Sequence, residues 1–259
     1  MADLYRDLAR DYHWLFPDDI VRTYDSFGAT SPGNHNLLEA TLLPLAPGAS
    51  ILDCACGIGI DAVALARRGF SVTASDGSPA MVAQTRRRMK QSGTTMQVTT
   101  STWRELPQRL PGRFAVVLCL GNAIVHARTR KGRVSALRSM RTVLVPKGVV
   151  VVDSRNWEFL YASRPRIIPT RRVIERDGVR CTSLYIWTIP LRFRTSCRAE
   201  IVLLFESEDR TIAFRRYVVD FQPLSHQDLI GALQSAGFAI REDTYQSDHP
   251  FYAVSASAD

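Results

Sequence analysis

Between residues 50 and 153 the chain alternates short, unbroken apolar runs with stretches of helical periodicity, and this alternation constrains its fold more than any other feature. The runs lie at 50–53, 70–75, 97–100, 114–118 and 148–153, with helical stretches at 60–68, 78–91 and 130–145 between them. Apolar runs without polar alternation read as strands covered on both faces. The pattern therefore predicts a doubly wound, mostly parallel α/β sheet with helices on each side.

The flanking segments follow other rules. Residues 3–16 place Leu4, Leu8, Tyr12 and Leu15 on one helical face, 18–27 reads as a second short helix, and Ser31-Pro32 opens a third that runs to about Leu43. Beyond Asp153 the stretches 172–189, 197–206 and 211–221 are β-branched and rich in arginine, with turn signals at 176–178 and 208–210. They predict an antiparallel insert ahead of a helix at 225–236 and two closing strands near 238–245 and 251–256. The expected organisation is a helical N-terminal lid over 1–47, a core over 48–160, the insert over 161–222, and a C-terminal helix and strands over 223–259. With 259 residues, 46% of them hydrophobic, one core can form without disulfides or metal.

Charge is uneven. Residues 1–66, 67–200 and 201–259 carry net charges of −6, +19 and −5, and 30 of the 33 basic residues are arginine. A block of +19 is compatible with a nucleic-acid surface, but solvated arginine-rich helix faces account for it more simply, and its arginine runs lack interleaved aromatics. The five cysteines at 54, 56, 119, 181 and 197 have no metal-ligand spacing, so no metal site is expected. The opening stretch is charged throughout and no run of 18 apolar residues occurs. These features predict a cytoplasmic protein with reduced thiols and no membrane span.

The stretch Ile51-Leu-Asp-Cys-Ala-Cys-Gly-Ile-Gly-Ile-Asp runs from a strand through glycines into a helix. Glycines let the backbone turn sharply and approach a ligand closely. Asp76 follows at the end of the next strand, where a carboxylate can accept both hydroxyls of a ribose. Gly57-Ile-Gly59-Ile-Asp-Ala62 also satisfies a loose dinucleotide fingerprint. Asp53 separates the two readings: it would repel a pyrophosphate near the turn, whereas it would favour the cationic methionine end of S-adenosylmethionine.

The segment 53–61, together with 69–81, resembles motifs I and II of class I S-adenosylmethionine-dependent methyltransferases, whose sheet is Rossmann-like. More narrowly it resembles the glycine N-methyltransferase group, through Thr102-Trp103, Cys119-Leu-Gly-Asn122-Ala-Ile-Val-His126 and Asp153-Ser-Arg155-Asn156-Trp157. The resemblance implies that Asp53, Ala55 and Gly57 line the methionine end of S-adenosylmethionine, that Asp76 holds the ribose and that Met81 packs on the adenine. It implies that Trp103, Leu120 and His126 wall the adenine, with Gly59, Gly77, Thr102 and Gly121 completing the cofactor-binding set. Tyr12 and Tyr24 would close over the sulfonium, Asn122 and Arg155 would hold a substrate carboxylate, and Tyr24 would contact the methyl or the amine.

Arg155 also has a case of its own, since it follows an apolar strand at the carboxyl edge of a parallel sheet and its planar fork suits a carboxylate. The sequence departs from the resemblance at Thr102, where the group carries asparagine, at Ser31, where it carries arginine, and at Arg171-Arg172 and Phe205, where its aromatic grip on glycine is missing. The expected activity is N-methylation of a small amine or amino-acid-like substrate by in-line displacement, with a homo-oligomer possible. Three alternatives stand beside it: an O- or N-methyltransferase of specialised metabolism, an RNA methyltransferase, and an NAD-binding oxidoreductase.

Overall fold

The computed structural model describes residues 5–16, 32–110, 113–169 and 173–258. A seven-stranded sheet forms the centre, in the order β11-β12-β5-β4-β1-β2-β3. Its strands are β1 (Ser50–Asp53), β2 (Ser71–Asp76), β3 (Gln97–Thr100), β4 (Phe114–Cys119), β5 (Leu144–Arg155), β11 (Phe238–Asp243) and β12 (Phe251–Ala258). The first five run parallel, while β12 pairs antiparallel with both β5 and β11. The chain builds outward from β1 to β2 and β3, then returns to lay β4 on the other side of β1. That reversal opens a crevice at the carboxyl ends of β1 and β4, the place where open α/β sheets hold ligands.

Helices α1 (Pro32–Leu42), α2 (Ile60–Arg67), α3 (Pro79–Ser92), α4 (Leu106–Arg109) and α5 (Arg130–Thr142) accompany this sheet. Leu37, Leu38 and Leu42 of α1 pack with Ile51, Leu65, Val116 and Val151 in one core layer. Leu52, Val117, Leu137, Val150 and Leu233 form the layer on the opposite face. Burial on both sides is what unbroken apolar strands require. Strand β5 starts at Leu144, four residues before the apolar run, because Leu144 pairs with Phe114 ahead of a register shift.

A second, antiparallel sheet follows α6 (Trp157–Ser163), a helix not evident from periodicity but capped by Asn156, whose Oδ1 accepts the Phe159 N–H at 3.0 Å. Its order is β10-β9-β8-β6, with β7 also on β8. The strands are β6 (Ile167–Pro169), β7 (Ile174–Arg176), β8 (Val179–Thr188), β9 (Cys197–Glu206) and β10 (Ile212–Phe221), and α7 (His226–Ser235) leads back to the central sheet.

Residues 5–16 depart from the expected helix. They form turns and one 3-10 segment, Tyr12–Leu15. Tertiary anchors override local periodicity here: the Arg176 guanidinium takes the carbonyls of His13 and Phe16 at 2.9 and 3.0 Å, and buried Asp11 pairs with Arg215 at 2.5 Å and accepts the Tyr217 hydroxyl. All five cysteines are buried and free. Among the described residues there is no cluster of metal-ligating side chains, and no helix is long and apolar enough to cross a membrane.

Candidate active site

Asp53, Asp76 and Arg155 end β1, β2 and β5, and Leu120 directly follows β4, so the crevice gathers the residues singled out above. The glycine turn has the backbone that only glycine adopts readily: φ is +53° at Gly57 and +80° at Gly59. A Cβ on Gly59 would stand 2.8 Å from the Thr85 methyl, so α3 packs directly on the turn. A Cβ on Gly57 would meet nothing within 4 Å, so there the turn faces open space. Asp76 is held in place by the N–H groups of Gly57 (2.9 Å) and Ser78 (2.8 Å). An ionised carboxylate offers about four lone-pair sites, so acceptor capacity remains for a diol. Gly77 has no such backbone requirement, since a Cβ there would meet only Thr102 Cγ2 at 3.9 Å.

The crevice is acidic. Asp53 is buried and accepts one hydrogen bond, from Ala55 N at 3.3 Å. Burial, reinforced by the charges of Asp61, Asp76 and Asp153, pushes its carboxyl well above the usual range. Asp153 accepts the Asn122 N–H at 2.7 Å, yet burial still lifts it to about 7. A buried carboxylate without a cationic partner among the described residues favours a ligand cation, because a positive charge within about 4–6 Å restores its ionised form.

Residues from the N-terminal segment and the loop after β4 close over this floor. Tyr12 is half-buried, with its ring 6.2 Å from that of Tyr5 and 5.4 Å from that of Phe16. The Tyr5 hydroxyl lies 2.8 Å from His126 Nε2. Burial lowers the His126 pKa to about 4 and raises that of Tyr5, so both rings are neutral at pH 7 and a neutral hydrogen bond joins them. Met81 packs with Ala9, Ile58, Ile60 and Val63 beside both tyrosines. Trp103 Nε1 donates to the Cys54 carbonyl at 2.9 Å, pinning the indole to the end of β1, and Leu120 is buried against the opposite layer. Thr102 spends its hydroxyl on Glu105 at 2.8 Å. Ala55 is half-buried on the turn. Tyr24 and Ser31 lie outside the described residues.

The far side of the crevice is built differently. Gly121 and Asn122 both have positive φ, +73° and +60°, which turns the chain so that the Asn122 side chain reaches back to β5. Its Oδ1 accepts the Arg155 N–H at 3.0 Å, which fixes the amide orientation because that N–H can only donate. Asn122 thus braces Arg155 directly, and only its Nδ2 is available to a ligand. The Arg155 guanidinium lies 4.6 Å from the Phe251 ring centre and 5.2 Å from that of Trp187, in cation–π contact with both. Among the described residues it makes no ion pair. Burial lowers its pKa, but a guanidinium stays charged at any physiological pH.

Beside it Trp157 and Trp187 pack edge to face at 6.3 Å, with Phe221 within 6 Å of both. Both indole Nε1 atoms are buried without a hydrogen-bond partner among the described residues. Two buried indole N–H donors without partners thus belong to the ring cluster that abuts Arg155, an arrangement that costs free energy.

Sequence reasoning gave no site role to Tyr5, Asp153, Tyr185, Trp187 or Phe221. Asp153 had a signal, since it ends an apolar run as Asp53 and Asp76 do. Trp187 and Phe221 had none, because only the packing of the second sheet against the first brings them to Arg155.

A family model described as a methyltransferase domain matches residues 51–148. The whole chain superimposes on an S-adenosylmethionine-dependent methyltransferase from Clostridium acetobutylicum with a TM-score of 0.71 and 12% identity, over 98% of both chains. This is a class I methyltransferase fold. The matched span contains Asp53, Gly57, Gly59, Asp76, Met81, Trp103, Asn122 and His126; Asp153, Arg155, Trp187 and Phe221 lie beyond it. A glycine/sarcosine N-methyltransferase from Parasynechococcus marenigrum is 34% identical over 111 residues, 43% of this chain and 39% of that protein. Another from Aphanothece halophytica is 25% identical over 81% of this chain and 76% of that protein. The match thus spans about two fifths of the length of the first relative. A structure of an amino pentose methyltransferase from Micromonospora echinaspora with S-adenosylmethionine bound has a TM-score of 0.63 at 19% identity, over 98% of this chain and 92% of that one.

Proposed function

We propose that the protein transfers a methyl group from S-adenosylmethionine to the amine of a small, carboxylate-bearing molecule. The observation that carries this reading is Arg155: a half-buried guanidinium, stacked on Trp187 and Phe251, with no ion-pair partner among the described residues. A substrate carboxylate would supply that partner bidentately, and the orphaned indole N–H groups of Trp157 and Trp187 offer further donors nearby. The glycine/sarcosine N-methyltransferase relatives act on substrates of this chemistry by name.

The cofactor fits the other half of the crevice on its own terms. Gly57 leaves open space above the turn, Asp76 is fixed as a diol acceptor, and the buried carboxyl of Asp53 lacks a cation. S-adenosylmethionine carries its methyl on a positively charged sulfur already activated for in-line displacement. The chain's own residues then have three tasks: Asp53 and Asp76 bind, Tyr5 and Tyr12 exclude water, and Arg155 with the Asn122 brace orients the acceptor. Alignment of this kind lowers a barrier by up to about 7–11 kcal/mol in model reactions, so no strong base is required.

Mass spectrometry of methylated products from a panel of amino acids, biogenic amines and amino sugars tests the proposal. Amino acids are expected to react, and Arg155→Ala is expected to raise substrate KM about 10–100-fold while leaving S-adenosylhomocysteine affinity unchanged. Turnover of amines without a carboxylate at equal rates, or equal loss of both affinities in the variant, overturns the carboxylate role. Amino sugars represent a second reading, favoured by the flat aromatic wall of Tyr185, Trp187 and Phe221.

A further inference from the structure

Four side chains of α3 at helical spacing, Gln84, Arg87, Arg88 and Gln91, line a second cavity of about 480 Å³. It shares Ile58 with the glycine turn but none of Asp53, Asp76, Trp103 or Arg155. Arg86 of the same arginine run turns to β3, where it donates to the Val98 carbonyl at 3.0 Å. Arg176, at the end of β7, and His13 of the N-terminal segment complete the polar lining with Asp177. Three guanidiniums thus reach one cavity from elements distant in sequence, and a single carboxylate accompanies them.

Two of these arginines are held by backbone. Arg88 Nε donates to the Ile58 carbonyl, inside the glycine turn, at 3.1 Å. Arg176 donates to the carbonyls of His13 and Phe16, and its guanidinium lies 5.1 Å from the Trp14 ring centre. Carbonyls orient a guanidinium without cancelling its charge, and the field is felt in the cavity: after burial, Arg176 and Arg88 both lower the His13 pKa. Arg87 is exposed. With His13 neutral, the three arginines exceed Asp177 by two charges, which a phosphate monoester, at about −1.5 to −2, matches. Guanidinium forks suit its oxygens bidentately, and a concave positive wall focuses its field on one compact ligand. The volume lies within the roughly 300–1,000 Å³ of small-molecule sites and exceeds what a bare phosphate fills, so the amides of Gln84 and Gln91 are left to meet a polar remainder.

We propose that this cavity binds a small phosphate monoester, and that the bound phosphate ties the N-terminal segment to the glycine turn through Arg176 and Arg88. That segment carries Tyr5 and Tyr12, so occupancy tightens the crevice; this coupling rests on S-adenosylmethionine occupying the crevice, whereas the site itself does not. Isothermal calorimetry of the cofactor-free chain with glucose 6-phosphate, inorganic phosphate and glucose tests the site. Glucose 6-phosphate is expected to bind more tightly than inorganic phosphate, and glucose not at all. Arg87→Glu, at an exposed position that leaves the fold intact, is expected to weaken glucose 6-phosphate binding about tenfold or more, while Lys131→Glu, the same charge change at an exposed position of α5, leaves it unchanged. S-adenosylhomocysteine is expected to bind about fivefold more tightly when the site is filled. No binding, equal binding of inorganic phosphate, equal loss in both variants, or competition with S-adenosylhomocysteine overturns the site. An unchanged S-adenosylhomocysteine affinity overturns the coupling, and S-adenosylhomocysteine that binds under neither condition overturns the cofactor assignment instead.

Discussion

The span matched by the family model and the antiparallel sheet border one crevice from opposite sides, and they do so by different physics. On the domain side, function is written into backbone: positive φ at Gly57 and Gly59, N–H groups aimed at Asp76, and an indole tied to the Cys54 carbonyl. On the sheet side it is written into side-chain packing: a guanidinium between aromatic rings and two indole N–H groups without acceptors. Backbone geometry tolerates few residue types, so that half is matched by a family model. Packing of rings tolerates many, and the substrate half lies outside the matched span.

Four substitutions break or sharpen this division, and they are given in order of expected effect. Asp76→Ala removes the two-hydroxyl acceptor and should weaken S-adenosylhomocysteine binding about 100-fold by calorimetry, roughly two charge-assisted hydrogen bonds. An unchanged affinity would mean that the ribose is held elsewhere. Arg155→Lys keeps the charge but loses the fork and the stacking on Trp187 and Phe251; substrate KM should rise about tenfold at constant cofactor affinity. Trp187→Phe keeps a ring against Arg155 but deletes the indole N–H together with part of the buried ring system, so steady-state kinetics should show a KM increase of about three- to tenfold. A variant indistinguishable from wild type would remove Trp187 from the donor set.

The smallest effect concerns Asp153, which stands between the two halves. Its folded pKa of about 7 exceeds the ordinary carboxyl value of about 3.9, so the folded protein binds a proton more tightly than the unfolded chain does. The sign follows: this group stabilises the fold most at low pH, and that contribution falls as pH rises through about 4 to 7. Asp153→Asn cannot ionise. The melting temperature of the variant relative to wild type should therefore climb across that window and level off above it. A difference that stays flat with pH would show that Asp153 is ionised throughout.

Much of the domain half is legible in sequence because its determinants are local. The strand, glycine turn and helix at 51–67 lie within one contiguous stretch, and Asp76 follows at the next strand end. Asn122 was legible as a site residue but not in its posture: only the positive φ at 121 and 122 shows that its carbonyl oxygen reaches the Arg155 N–H. The N-terminal segment misled for a related reason. Leu8, Tyr12 and Leu15 have helical spacing, yet Arg176, Arg215 and Tyr217, more than 160 residues away, capture its carbonyls and Asp11.

Sequence by itself determined the parallel sheet, the order of its strands along the chain and the crevice that Asp53, Asp76 and Arg155 share, because unbroken apolar runs and glycine turns act through neighbours a few residues apart. Tertiary structure alone decided what surrounds Arg155. The rings of Trp187, Phe221 and Phe251 lie 32 to 96 positions from it, and contacts at such separations leave no periodicity to read. Packing of the second sheet against the first brings Trp187 to the guanidinium and Phe221 to Trp187, and the pairing of β12 with β5 sets Phe251 opposite Arg155.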